Sequence, residues 1–408
     1  MAPNRELIER VRALPAAQPL IARLGDESGV YLVGGAVRDL LLGGEPYELD
    51  LVVEGDAIAL ASRLGGPTEV HDRFGTSSVT LDGYTYDIAQ ARRESYPEPG
   101  ALPEVFPASL TDDLSRRDFT VNAMAVALGR EAPGELSAVP RALEDLQARH
   151  LRVLHERSFL DDPTRLLRLA RYASRLRFSI EPGTRVLAIA AIRAGALRTL
   201  SGSRVGAELR LLAREREPLA ALRCMAQLGI DRAIHPSFGL HDQELAQRAL
   251  ELLPSDAATE RLVVALAAQA VPPPELSALL DDLAFEAADR DAILAATARG
   301  KETAQALAAA TRPSQVAAAV AGAGPELVAL AGALGPAQAA REWLMRLRHV
   351  GLAIDGDDLL AEGVPRGPAV GRGLRAALVA KLDGWASGRD EELAEALRAA
   401  RGAGSLGR

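Results

Sequence analysis

The pattern of the chain changes near residue 140, and that change limits what it can fold into. Before it, short apolar runs that end in glycine alternate with stretches of helical length. Val30-Tyr-Leu-Val33 stops at Gly34-Gly35, which predicts a strand and a tight turn. Ala36–Leu42 then predicts a helix closed by Gly43-Gly44, Leu49–Val53 the next strand, and Asp56–Leu64 a helix ended by Gly65-Gly66. Ser77–Leu81 and Thr85–Ala89 flank Asp82-Gly83, a hairpin signal. Residues 95–109 hold four prolines and predict loop, and Phe119–Leu128 predicts an apolar helix. Beyond residue 140 strand signals fade. Helical spacing runs on, broken at Glu181-Pro-Gly183, Gly202, His235-Pro236, Pro254, Pro272-Pro-Pro274 and Gly335-Pro336. The expectation is an α+β chain: a mixed-sheet head over 1–140, then an elongated all-helical remainder divided into a neck (141–225), a body (226–330) and a tail (331–408). The last residues, 402–408, read as a frayed end.

Composition agrees. Hydrophobic residues make up 48% of the 408 and aromatics only 4%, so the core is built from Leu, Ala and Val, and the Ala- and Leu-rich stretches favour helix. A single cysteine, Cys224, excludes a disulfide framework or a cysteine zinc site within one chain and suits a reducing compartment. Met1–Glu6 lacks a basic-then-apolar leader pattern, and no segment has the roughly 18 uncharged apolar residues of a membrane span. A cytoplasmic protein with no membrane partner is expected. The net charge is −8, but from His150 to Met225 there are 15 Arg against 7 acids, so a zone of +8 sits in a remainder of −16. Such a zone binds phosphate backbones.

Three constellations carry chemistry. In the first, Leu32-Val-Gly-Gly-Ala-Val-Arg-Asp39 is followed by Glu48-Leu-Asp50. Two glycines after a strand let backbone approach a bulky anion, and the helix start supplies N–H donors. It is neither the dinucleotide G-x-G-x-x-G nor a Walker loop. Glu48 and Asp50, two apart on a predicted strand, point to one face, and paired carboxylates suit Mg²⁺. The second is Arg116-Arg-Asp-Phe-Thr-Val-Asn122: Arg as a planar fork for phosphate, Asp118 as an acceptor for a ribose hydroxyl, with Asn122 four residues on. The third is Asp161-Asp-Pro-Thr-Arg165, continuing to Arg168. Asp162 and Arg165 share a helical face, and an acceptor beside a donor can match a base edge. Each also has a plainer reading: a turn of solvated acids, a helix N-terminus with incidental arginines, and a cap with an intrahelical ion pair.

Taken in order, these elements resemble the class II tRNA nucleotidyltransferases, the family of CCA-adding enzymes and bacterial poly(A) polymerases. Gly34–Asp39 with Glu48/Asp50 is similar to the family's Gly-Gly-x-Val-Arg-Asp and acid-x-acid element, Arg116-Arg-Asp118 to its R-R-D, and Asp161-Asp162…Arg165 to its E-D-x-x-R. Ser201–Arg204 with Glu208-Leu209, then Asp358-Leu359, Gly363–Pro368 and Leu382-Asp-Gly384, extend the likeness to about residue 385. Departures are Glu48 for the usual Asp, Asp161 for the usual Glu, and Ser137-Ala138 and Arg141-Ala142 where the family has Asp-Pro and Gly-Gly ahead of Asp145-Leu146.

The resemblance implies a nucleotidyltransferase-type head and addition of CMP, AMP or both from CTP and ATP to the tRNA 3′ acceptor end, without a template. Glu48 and Asp50 would be the catalytic metal ligands for Mg²⁺ or Mn²⁺. Gly34, Gly35, Arg38, Arg117, Asp118, Asn122, Asp162, Arg165 and Arg168 would bind the nucleotide, with Arg117 and Asp118 at the ribose and Asp162 and Arg165 at the base. Asp87 sits where the family carries a further acid. No DNA partner is implied. Alternatives are an enzyme adding only CC or only A, a poly(A) polymerase, or a non-catalytic nucleotide- or RNA-binding module.

Overall fold

The computed structural model of the chain describes residues 4–71, 75–130 and 132–402, so the frayed end expected beyond Gly402 lies outside the described residues. Its contacts divide the chain into two units, 1–234 and 235–408.

The first unit opens with two helices, α1 (Asn4–Ala13) and α2 (Gln18–Leu24). The strands β1 (Val30–Val33), β2 (Leu51–Val53), β3 (Thr68–His71), β4 (Thr76–Leu81), β5 (Tyr84–Gln90), β8 (Met124–Ala127) and β9 (Leu136–Ala138) form one sheet in the order β3-β4-β5-β2-β1-β8-β9. Only β2 and β5 are parallel; the other pairs are antiparallel, so the sheet is mixed as expected. Its central strands β2 and β8 are buried along their length, as apolar runs without alternation require. Leu110 and Leu114 of α5 (Leu110–Ser115) pack on Val33, Val52 and Ala125. Leu60, Ala61 and Leu64 are buried on α4 (Ala57–Leu64), which Asp56 caps by accepting from the amides of Ile58 and Ala59. Gly65, at φ 76°, ends that helix, as its position predicts.

Two local expectations are corrected. Phe119–Leu128 is not a helix. A single 3-10 turn (Thr120–Asn122) leads into β8, because its four consecutive buried residues hydrogen-bond between β1 and β9. A continuous apolar run does not separate helix from buried strand. Residues 95–109 are also not all loop: β6 (Arg92–Ser95) pairs with β7 (Glu104–Pro107), and the prolines fall in the connection and at the strand end.

The rest of the first unit is helical: α6 (Ala142–Ala148), α7 (Ser158–Asp161), α8 (Thr164–Leu176), α9 (Pro182–Arg193), α10 (Gly202–Ala213), α11 (Pro218–Leu228) and α12 (Ile230–Ile234), with one short parallel pair, His150–Leu151 against Ser179–Ile180. The second unit is built of helices. Residues 326–333 of the helix Pro325–Ala333 are all buried, as its almost wholly apolar sequence requires. Gly373 lets two further helices meet: a Cβ there would lie 2.7 Å from the Ala396 carbonyl oxygen. Among the described residues no helix is long and apolar enough to cross a membrane.

Candidate active site

The site begins where β1 ends. Gly34 adopts φ 69°, ψ −130°, a region open almost only to glycine, and a Cβ there would come within 3.0 Å of Arg117 Nη1. Its N–H donates to the Met124 carbonyl at 3.1 Å, and α3 (Gly35–Leu41) starts at the next residue. The Val33 N–H donates to the Asp50 carbonyl at 3.0 Å, so Asp50 sits beside the turn, at the edge of β2. The parallel register Leu51↔Ile88 places Asp87 of β5 next to Asp50 on the same face as Val33, Val52 and Ala125, the face that α5 covers. From the end of α5, Arg116 and Arg117 reach over that face.

Asp50 carries the marks of a crowded anionic site. Burial and repulsion from Asp87 and Glu48 raise its pKa above the usual carboxylate range, against the pull of Arg117. Asp50 itself stays solvent-exposed, so the neighbouring carboxylates are the firmer cause. This is the donor set and the unrelieved charge that a hard divalent cation would fit. Among the described residues no group of three His, Cys, Asp or Glu side chains forms a ready-made metal cage.

A cavity of about 330 Å³ lies against this edge, within the usual range for small-molecule sites. Gly34, Gly35, Asp50, Arg117, Asp118, Asn122, Asp162, Arg165 and Arg168 all line it. Two expected residues do not. Glu48 is exposed and reaches the site only through its effect on Asp50. Both Glu48 and Asp50 precede β2, which begins at Leu51, rather than lying within it. Arg38 is buried behind the wall, where Nη1 donates to Asn122 Oδ1 and Nε to Asp39.

The arginines are held by acids. Asp113, fully buried, accepts from Arg116 Nη2 at 2.6 Å and Arg117 Nη2 at 2.9 Å. Arg117 Nη1 has no hydrogen-bond partner among the described residues and lies beside Gly34, placed for an anion. Asp118 is buried and accepts from Phe119 N, Asn122 Nδ2 and Arg168. Burial alone would raise its pKa, but the Arg168 guanidinium and the Asn122 amide more than offset that and hold it below the usual range. Asp162 Oδ1 accepts from Arg204 Nη2 at 2.9 Å and Thr164 Oγ1 at 2.7 Å. Arg165 gives Nη1 to Ser158 Oγ and Nη2 to the Arg116 carbonyl. What remains is Asp162 Oδ2 and Arg165 Nε, an acceptor and a donor 4.0 Å apart, with no hydrogen bond to occupy either.

Several lining residues escape the motif reading. Tyr172 lies under three arginines, with Arg168 and Arg171 at 5.5 and 5.0 Å from its ring centroid and Arg38 at 5.7 Å. Its signal was its spacing, since 165, 168 and 172 share one helical face. Glu94, Tyr96 and Pro103 come from the β6–β7 hairpin, which was read as loop. A larger cavity, about 680 Å³ and in the second unit, has no comparable set of acids and arginines.

Comparison with known proteins fits this geometry. The poly A polymerase head domain family matches residues 30–152. An A-adding tRNA nucleotidyltransferase of Geobacter sulfurreducens is 35% identical over 97% of this chain and 49% of its own length. The CC-adding tRNA nucleotidyltransferase of Deinococcus radiodurans is 37% identical over 94% of this chain and 92% of its own. A solved CCA-adding enzyme in an apo form superposes with a TM-score of 0.80 at 30% identity, over 96% of this chain and 97% of that one. The chain spans about half the length, or less, of the A-adding relatives it matches.

Proposed function

The chain belongs to the tRNA nucleotidyltransferase family, and we propose that it adds CMP, AMP or both from CTP and ATP to the 3′ end of tRNA in the cytoplasm. The observation that carries this is the convergence of Asp50, the Arg117–Asp118 pair and the Asp162–Arg165 pair on one cavity. These are a cation-binding acid, a phosphate-and-ribose grip and a base-edge reader within reach of one nucleotide.

In this reading Asp50 and Glu48 hold Mg²⁺ or Mn²⁺, with Asp87 beside them. The cation, when bound, neutralises charge on the attacking and leaving oxygens. Arg117 Nη1 and the backbone at Gly34-Gly35 cradle the triphosphate. Asp118, fixed by Arg168 and Asn122, accepts from a ribose hydroxyl. Asp162 Oδ2 takes a proton of an exocyclic amino group while Arg165 Nε donates to a ring nitrogen or carbonyl. On their pairing edges cytosine and adenine set an exocyclic amino group beside an unprotonated ring nitrogen; guanine sets its amino group beside N1–H, and uracil has no amino group. The tRNA 3′-hydroxyl attacks the α-phosphate and pyrophosphate leaves. The neck (141–225) completes the nucleotide site, and the body (226–330) and tail (331–408) hold the RNA.

The test incubates the protein with tRNA lacking CCA, tRNA ending in CC and mature tRNA, each with CTP, ATP or both. Products ending in CC, in A only or in CCA assign the specificity. No incorporation in any combination rejects the proposal.

A further inference from the structure

Away from Asp50 and its surroundings, the first unit carries a further charged depression, of about 320 Å³. Its walls are Arg193 at the C-terminal end of α9, Arg198 on the 3-10 turn Ala196–Thr199, and Gly229 and Arg232 at the start of α12. No carboxylate lines it. All three arginines are exposed, and among the described residues none has an ion pair or hydrogen bond through its side chain. That sets them apart from the nucleotide cavity, where Arg116, Arg117 and Arg168 are each tied to an acid and Arg165 is held by Ser158 Oγ and the Arg116 carbonyl.

Three unneutralised guanidinium groups around one hollow repel each other, and an anion supplies the missing charge. From Pro182 to Thr199 the chain has three arginines and no acid. Gly229, at φ 85°, has nothing within 4 Å of where a Cβ would stand, so the hollow stays open on that side. The lining contains no aromatic ring to stack a base and no acid to meet a ribose hydroxyl. A nucleoside therefore has nothing to grip here, while a phosphate has three planar forks.

We propose that Arg193, Arg198 and Arg232 form a phosphate-binding site that takes a backbone phosphodiester of the RNA substrate. The proposal rests on the tRNA reading above and adds a docking point outside the reaction centre.

The test uses the full chain with Arg193→Gln, Arg198→Gln and Arg232→Gln, singly and together, and measures tRNA binding from 50 to 300 mM salt. Each substitution should lower the log–log salt slope by about 0.9 and weaken binding about fivefold near 0.15 M salt. ATP and CTP affinity without RNA should not move, which reports that the fold is intact. A triple variant with the wild-type slope overturns the site while transfer by the wild type leaves the tRNA reading standing. Wild-type protein that binds no tRNA overturns both. Titration with inorganic pyrophosphate separates the sources. Heat of binding lost in the triple variant, with an unchanged RNA slope, would mean a free-anion site and would also overturn the proposal.

Discussion

Arg168 places both Nε and Nη2 on a single oxygen, Asp118 Oδ2, at 2.9 and 2.7 Å, across 50 residues of sequence. The pair ties the Arg116–Asn122 segment to α8, so the two walls of the cavity, proposed above to meet the ribose and the base, share one rigid connection. Asp118→Asn keeps the shape and removes the charge, leaving Arg168 facing an amide. Breaking a fully buried pair costs about 3–5 kcal/mol. Arg168 keeps 32% of its side chain exposed, so about 2 kcal/mol is expected here, read by urea denaturation. The sign with pH follows from the depressed Asp118 pKa. The stabilisation is present above the unfolded carboxylate value near ~3.9 and is lost as pH falls through the lower folded value. The Asn variant should therefore lose less stability than wild type as acid is added.

Asp50 behaves in the opposite sense. Its folded pKa is raised, so ionising it opposes folding, and the penalty is present at neutral pH and fades as pH falls through the raised value. Asp50→Asn should raise the Tm of the metal-free protein at pH 7 while abolishing nucleotide transfer. Adding Mg²⁺ should raise the Tm of wild type and leave the variant unmoved, by ligand linkage. A variant with lower Tm, or one that still responds fully to Mg²⁺, would remove Asp50 from the cation site.

Gly34→Ala tests the turn. The substitution forces a side chain into a conformation costing about 1–3 kcal/mol and sets a Cβ 3.0 Å from Arg117 Nη1. Displacing that guanidinium should weaken ATP and CTP binding about tenfold, the loss of one charge-assisted hydrogen bond, as measured by calorimetric titration. Gly83→Ala, at φ 87° with open space around its Cβ position, is the control: it also puts a side chain on a positive-φ backbone, and it should bring no loss of affinity.

What the sequence made legible follows from how local each signal is. Gly34-Gly35, Asp56 with Gly65, and the strand spacing of 77–90 are read from neighbours in the chain, and the structure places them as expected. Met124–Ala127 reads as helix in the sequence because its strand state depends on hydrogen bonds to β1, about 90 residues earlier, as well as to the neighbouring β9. Glu48 shows the limit of strand-spacing arguments. Its i, i+2 relation to Asp50 puts both on one face only within a strand, and β2 starts after them. Tyr172 and Arg204 were missed as site groups because their value comes from what they touch: a ring under three arginines, and a guanidinium that fixes Asp162. Arg141 occupies a left-handed conformation at φ 68°, a backbone that favours the glycine of the pattern this stretch resembles.

Arg204 gives the sharpest test of base reading. Its Nη1 donates to the Gly100 carbonyl at 2.7 Å and its Nη2 to Asp162 Oδ1 at 2.9 Å. It therefore leaves Oδ2 without a hydrogen bond, and in the proposed reading this is the oxygen offered to the base. Gly100 tolerates no side chain, since at φ 75° a Cβ would fall 2.0 Å from Thr199 Oγ1. Arg204→Ala should let the Asp162 carboxylate rotate and present either oxygen. Selection of CTP and ATP over UTP and GTP, measured as kcat/KM ratios, should fall by about tenfold or more, the size of one positioned polar contact. Arg204→Lys can satisfy one of the two acceptors and should recover part of the ratio. A merely structural role would lower kcat/KM for all four nucleotides in parallel. That result would assign base selection to Arg165 alone.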